Sequence, residues 1–285
     1  MNEYGGVWKL TPYLKEKIWA GTRLDRRYGG FRTGEAYLLS DREESPSALE
    51  DGTLFPSLLE RLGYGNRRLS LLVKAIDAAE PLSLQVHPPG KGRDEGKDEL
   101  WLMDHVSADA EVYIGFRSGV TENLCRRCCE EGRLFSLMRP VSVSKGDVLF
   151  IPGGTVHGAK GVAFYEIQHN CDETFRLEDY GRGRELRREE AFSVINFSEK
   201  ELVRGVFGER LLFPPGNGIP FEPEPITFRG GFCRKEREPR AFLVLEGSGF
   251  CNGTPFAAGD CFFAGDGARS LWEGHGRLLC LKNLF

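Results

Sequence analysis

Apolar and polar positions alternate over short stretches along most of this chain, and few windows repeat at helical spacing. Residues 69–77 (LSLLVKAID), 82–87 (LSLQVH), 100–103 (LWLM) and 111–116 (EVYIGF) read as strands. So do 148–152 (VLFIP), 162–168 (VAFYEIQ), 241–249 and 259–264. Residues 55–63 (FPSLLERLG) read as a short helix stopped by glycine. Residues 120–138 predict a helical insertion with room for a break, and 186–193 a short helix or turn. The opening, 7–41, reads as extended and loop-rich.

One phrase occurs twice. A Gly-Asp turn followed by an apolar strand appears at 145–152 (KGDVLFIP) and again at 259–264 (GDCFFA). Between the two copies, residues 214–225 hold five prolines and two glycines and read as a linker. The expectation is a mainly β protein made of two related barrel or jelly-roll units. Residues 1–213 would carry the helical insertion and 226–285 the second unit. The chain's 36 glycines and 15 prolines fit such a turn-rich architecture.

Composition narrows the picture only a little. A hydrophobic fraction of 40% and a charged fraction of 28% are ordinary for a globular protein. A net charge of −4 gives no reason to expect nucleic acid as a partner. No apolar run reaches the roughly 18 residues of a membrane-spanning helix. No basic-then-apolar leader opens the sequence, so the cytoplasm is the expected location. The eight cysteines follow no framework spacing and are expected as reduced thiols. Cys125, Cys128 and Cys129 read as ordinary helix residues, since no second pair follows at zinc-ribbon distance.

The chemistry lies with the histidines, of which there are five. Gln85 and His87 are two apart in a strand, so both side chains leave the same face. Glu99 and His157 could complete a donor set of two imidazoles, a carboxylate and an amide oxygen. Taken singly, each is more often an ordinary polar residue; together they point to a metal. The set has no thiolate, which argues against a closed structural site and leaves zinc, iron, manganese or cobalt. His105 reads as a solvated loop residue, His169 as a structural strand end, and His275 as non-functional. Lys97 could bind phosphate or move a proton. Arg176 and Arg182 sit among carboxylates, in either a surface loop of paired charges or an anion-binding loop.

Four phrases in order, 82–88 (LSLQVHP), 96–101 (GKDELW), 146–157 (GDVLFIPGGTVH) and 174–182 (TFRLEDYGR), resemble type I mannose-6-phosphate isomerases of the short bacterial kind. Weaker matches stand at 17–21 (KIWAG) and 72–78 (LVKAIDA), and the resemblance spans residues 17 to 182. It implies a cupin fold, a jelly-roll β-barrel core with a cupin-like second unit. It also implies one zinc ion per chain held by Gln85, His87, Glu99 and His157. Lys97 and Arg176 would touch the substrate and act in catalysis. The implied reaction is the reversible isomerisation of mannose 6-phosphate and fructose 6-phosphate through an enediol(ate), in a monomer whose partner is a small sugar phosphate. Lys97, a hydroxide on the metal, and His87 or His169 all stay open as the base.

Two departures stand out. Gly34-Glu35-Ala36-Tyr37-Leu38-Leu39-Ser40 replaces the family's Gly-Glu-Ser-Trp-Glu-Ile-Ser, and Gly96 stands where longer members have histidine. The altered 34–40 wall keeps a non-catalytic sugar-phosphate-binding cupin as the alternative. An iron-dependent cupin oxygenase is a further one, against which Gln85 argues.

Overall fold

A computed structural model describes residues 6–90, 95–198, 202–207 and 223–285. Its first twelve strands are β1 (Val7–Thr11), β2 (Tyr13–Glu16), β3 (Thr33–Leu39), β4 (Ala48–Leu49), β5 (Leu71–Ala78), β6 (Leu84–Val86), β7 (Glu99–Phe116), β8 (Met138–Pro140), β9 (Asp147–Ile151), β10 (His157–His169), β11 (Phe175–Glu178) and β12 (Val203–Val206). Five more follow: β13 (Glu224–Lys235), β14 (Arg240–Cys251), β15 (Thr254–Ala257), β16 (Cys261–Ala264) and β17 (Arg269–Leu281). The helices are α1 (Arg23–Tyr28), α2 (Phe55–Arg61), α3 (Glu122–Glu130) and α4 (Arg188–Val194).

The mainly β expectation holds, and every described strand pairing is antiparallel. One sheet runs β12-β9-β7-β10-β5-β3-β2, with β6, β8 and β11 attached at its flanks. The other runs β13-β17-β14-β16-β1-β4, with β15 on β14. The unit expected over 226–285 is thus joined by β1 and β4 from the start of the chain. The expected linker falls largely on 214–222, outside the described residues, while Glu224 and Pro225 already belong to β13. Among the described residues no helix is long and apolar enough to cross a membrane.

Two expectations need correction. The opening 7–41 is not mostly loop: it holds β1, β2, α1 and β3. Its strands are short and mixed in polarity; β2 and β3 pair with each other, and β1 takes its partner from far away, with Trp8 opposite Phe263. Residues 100–103 and 111–116 are one 18-residue strand, β7, because the polar stretch between them stays paired to β10 across a shifted register. The helical insertion has the break that the sequence left room for: it stops after Glu130, and a 3₁₀ turn at Leu134–Leu137 leads into β8.

The repeated Gly-Asp phrase builds the same turn twice. Asp147 Oδ2 accepts the Ser144 N–H at 2.6 Å, and Asp260 Oδ2 accepts the Ala257 N–H at 2.8 Å. The glycines before them, Gly146 and Gly259, take φ of 89° and 94°, a region open to residues without a Cβ. Each unit also packs around a buried tryptophan. Trp101 stacks on Phe164 at 4.2 Å between ring centres. Trp272 is ringed by Phe232, Phe242, Phe256 and Phe262 at 5.2–6.2 Å. All eight cysteines are free thiols and seven are buried, Cys125 and Cys129 in the core beneath α3.

Trp272→Ala empties the centre of the second unit. We expect a loss of about 3–5 kcal/mol, read as a lower urea midpoint with an unchanged slope.

Candidate metal centre and active site

β6, β7, β10 and β11 bring the donor set together. Gln85 lies opposite His157 across the β6–β10 pair and opposite Arg176 across the β6–β11 pair. Glu99 opens β7, and His87 follows β6 directly. His87 Nδ1 is 2.7 Å from the Glu173 carbonyl, and His157 Nδ1 is 2.9 Å from the Thr155 carbonyl. A carbonyl can only accept, so each Nδ1 carries the proton and each Nε2 keeps its lone pair. Those lone pairs converge on Glu99: His87 Nε2 is 2.9 Å from Oε1 and His157 Nε2 is 3.6 Å from Oε2. Donor atoms of His87, Glu99 and His157 lie within 4.8 Å of one another, all buried.

Electrostatics keep these donors free. Burial pushes the His157 imidazole down to about 4. Burial, with Lys97 adding to it, also lowers His87. Both rings are therefore neutral at neutral pH, as metal binding requires. Burial works against the Glu99 charge, but the Lys97 ammonium holds its carboxyl well below the usual range. The residues fit a divalent ion on the structure's own terms. The buried Glu99 Oε1 accepts no well-directed hydrogen bond, and the Lys97 ammonium is drawn onto it. Gln85 Oε1 accepts the Ser83 hydroxyl at 2.9 Å, while its Nε2 faces His157 at 3.4 Å. Turning the amide over would present oxygen to the same point.

Beside the donors lies a cavity of about 310 Å³, lined among others by Gln85, Lys97 and Arg176. An alternating row of buried charges forms its wall. From Lys97, against Glu99, the row continues to Glu166 at 3.8 Å, to Lys74 at 3.6 Å, and to Asp172 at 2.9 Å. Trp101 Nε1 donates to both Glu99 (3.0 Å) and Glu166 (3.2 Å), tying the row to the donors. Burial and the nearby Glu99 lift Glu166 to about 7, against the pull of Lys97 and Lys74. Arg176 enters the cavity from β11 with its buried Nε unpaired, and burial followed by Arg184 lowers its pKa.

All six sequence-predicted site residues therefore meet in one place. His169 does not join them, since its Nδ1 accepts the Asp98 N–H. His105 is not a loop residue: it sits half-buried in β7, with Nε2 2.5 Å from an Arg23 guanidinium nitrogen. Arg182 is bound by Asp179 and the Pro81 carbonyl, outside the cavity. Sequence reasoning missed Lys74, Glu166, Asp172, Lys17 and Glu35, all of which line the cavity. A readable signal existed for two of them. Lys74 and Glu166 are charged residues flanked by apolar ones (LLVKAI and VAFYEI) in strand stretches that are buried on both faces.

The two departures have local consequences. A Cβ on Gly96 would come within 2.2 Å of the Gly90 nitrogen, so the turn as built admits no side chain there. In the 34–40 segment Glu35 still lines the cavity, pairing with Lys17 at 3.0 Å. Tyr37 is fully buried and donates to Glu35 or Asp172, at 3.1 and 3.2 Å. The altered wall keeps a carboxylate facing the cavity.

The chain is 32% identical over 220 residues to GmuF, a probable mannose-6-phosphate isomerase of Bacillus subtilis (strain 168), covering 68% of this chain and 70% of that protein. The chain belongs to the mannose-6-phosphate isomerase family. No family model matches it. The fold of the mannose 6-phosphate isomerase from Bacillus subtilis superposes with a TM-score of 0.81 at 25% identity, covering 96% of this chain and 99% of that one. A mannose 6-phosphate isomerase bound with zinc and yttrium, 16% identical, shares the fold with a TM-score of 0.74 over 98% of this chain and 100% of its own. The cupin fold expected from the resemblance is the fold observed. In this mannose-6-phosphate isomerase relative, the donor set and the cation-rich cavity occupy the unit containing β5–β11.

Two predictions follow from the row of charges. Lys74→Met leaves Glu166 and Asp172 facing each other without their shared cation; we expect a loss of about 3–5 kcal/mol in urea unfolding. Asp172, half-buried and paired with Lys74, has its carboxyl held well below the usual range. A depressed carboxyl adds stability that is present above its unfolded pKa of about 4 and lost as pH falls through the folded value. Stability measured from pH 4 downward should fall less steeply in Asp172→Asn than in the parent.

Proposed function

We propose that this chain interconverts mannose 6-phosphate and fructose 6-phosphate, with one zinc ion held by Gln85, His87, Glu99 and His157. One observation carries the reading: two neutral imidazoles and a carboxylate, lone pairs converging, sit behind a cation-rich cavity in a chain of this family. A donor set of nitrogen and oxygen without thiolate suits an open zinc site, and a protein of the same fold is bound with zinc and yttrium. When bound, the ion would supply Lewis acidity toward a sugar oxygen.

The remaining chemistry is assigned to the chain's own side chains. Isomerisation moves a proton between C1 and C2, and negative charge develops on the sugar oxygens as it leaves. Arg176, charged and lining the cavity, is positioned to meet that charge. Lys97 reaches the cavity while touching Glu99 and lying 3.8 Å from Glu166, so a proton can be held there and handed on. His169 drops out as the base because it does not line the cavity. Both nitrogens of His87 are already engaged, one by the Glu173 carbonyl and one by the donor set. We take residues 1–213 as the catalytic unit and 226–285 as its supporting β unit, since every assigned residue lies in the former. One chain supplies the whole set, so the reading needs no second copy, nucleic acid or membrane.

The test is an assay on mannose 6-phosphate before and after dialysis against chelator. Activity should vanish with the metal and return with one equivalent of zinc. Arg176→Ala should lower kcat by about 10²–10³ while leaving metal content unchanged. Turnover that survives metal removal, or none after full zinc loading, sinks the reading.

A further inference from the structure

A second cavity, of about 470 Å³, opens on the opposite face of β5 and β10. Arg23, Arg26 and Arg27 come to it from α1, Lys145 from the turn before β9, and Asp104 and His105 from β7. Its positive charges outnumber their partners. Asp104 is shared between Arg27 at 3.7 Å and Lys145 at 3.4 Å. Arg27 also donates to the Tyr165 hydroxyl at 2.8 Å. The Arg23 guanidinium rests on His105 rather than on a carboxylate. Arg26 has no side-chain hydrogen bond or ion pair among the described residues. Asp77, at the adjoining rim, directs an oxygen to the Arg23 backbone N–H at 2.7 Å. Four permanent cations thus converge on a concave surface where Asp104 pairs with two of them and Asp77, at the rim, faces Arg23 and Arg26, in a protein whose net charge is −4.

We propose that this cavity is a second anion site, one that takes a small molecule bearing a phosphate or diphosphate group. Planar guanidinium forks from one helix suit the oxygens of such a group, and the lysine adds a point charge. The concavity favours a compact ligand over an extended polyanion. Ile76 and Phe164 line this cavity and the isomerase cavity alike, so an occupant would lie across β5 and β10 from Lys74 and Glu166. The site goes beyond the isomerase reading and stands or falls without it.

Inorganic phosphate, titrated at constant ionic strength and followed by phosphorus NMR, tests the proposal on the full chain. The parent should bind two equivalents. Arg23→Ala/Arg26→Ala, at two exposed positions, should weaken one of the two by about tenfold or more, the size expected for losing hydrogen bonds to a charged group. Arg176→Ala should weaken only the other. Asp104→Asn removes the competing carboxylate and should tighten the site, a change that misfolding would not produce. Phosphate binding that is unchanged in Arg23→Ala/Arg26→Ala and in Asp104→Asn overturns the proposal. So does a single equivalent that only Arg176→Ala removes.

Discussion

Charges buried inside an apolar barrel must neutralise one another, and that requirement orders everything around this site. Removing an ion from water costs several kcal/mol even after relaxation. Here Glu99, Lys97, Glu166, Lys74 and Asp172 alternate in sign along a row spanning β5, β7, β10 and the segment before β11. With Glu166 ionised, three carboxylates and two ammoniums leave one negative charge over. A divalent ion at the imidazoles would turn that into one positive charge, the sign that welcomes a phosphorylated sugar. Trp101 holds the row in register by donating to two of its carboxylates while lying edge-on to His157 at 5.5 Å. Geometry of the donors and electrostatics of the cavity are therefore one problem with one solution.

The donor set was readable because it is local. Gln85 and His87 share a strand face by period-2 geometry, and the glycine turn before His157 marks a loop that fixes a side chain. Lys97 and Glu99 sit two apart at the head of β7 for the same reason. The family resemblance added Arg176, whose place opposite Gln85 depends on the pairing of β6 with β11, which no spacing reveals. Lys74 and Asp172, 98 residues apart, were out of reach because only the fold makes them neighbours. The polar stretch of β7 misled for a related reason: its strand character comes from β10, not from its own residues. His105 was misplaced with it.

The two units show how one backbone plan is used twice. Asp147 and Asp260 cap the same turn, and each unit has a tryptophan at its centre. In the first, the space beside the tryptophan holds imidazoles and charges. In the second, phenylalanine rings fill it. The repeat was visible in the sequence as a Gly-Asp phrase. Of the difference in use the sequence showed one side: four of the five histidines fall in the first unit.

β1 is hydrogen-bonded to β16, joining residues near the start of the chain to others more than 250 positions later. On a ribosome, Val7–Thr11 leaves the exit tunnel long before Cys261–Ala264 has been made. The sheet containing β13–β17 cannot acquire this strand until Cys261–Ala264 has emerged, and closing so long a loop is slow. Until then an unpaired strand edge stays open, and the nascent chain is most exposed to wrong partners. Residues made more than 250 positions later therefore decide when Val7–Thr11 finds its place.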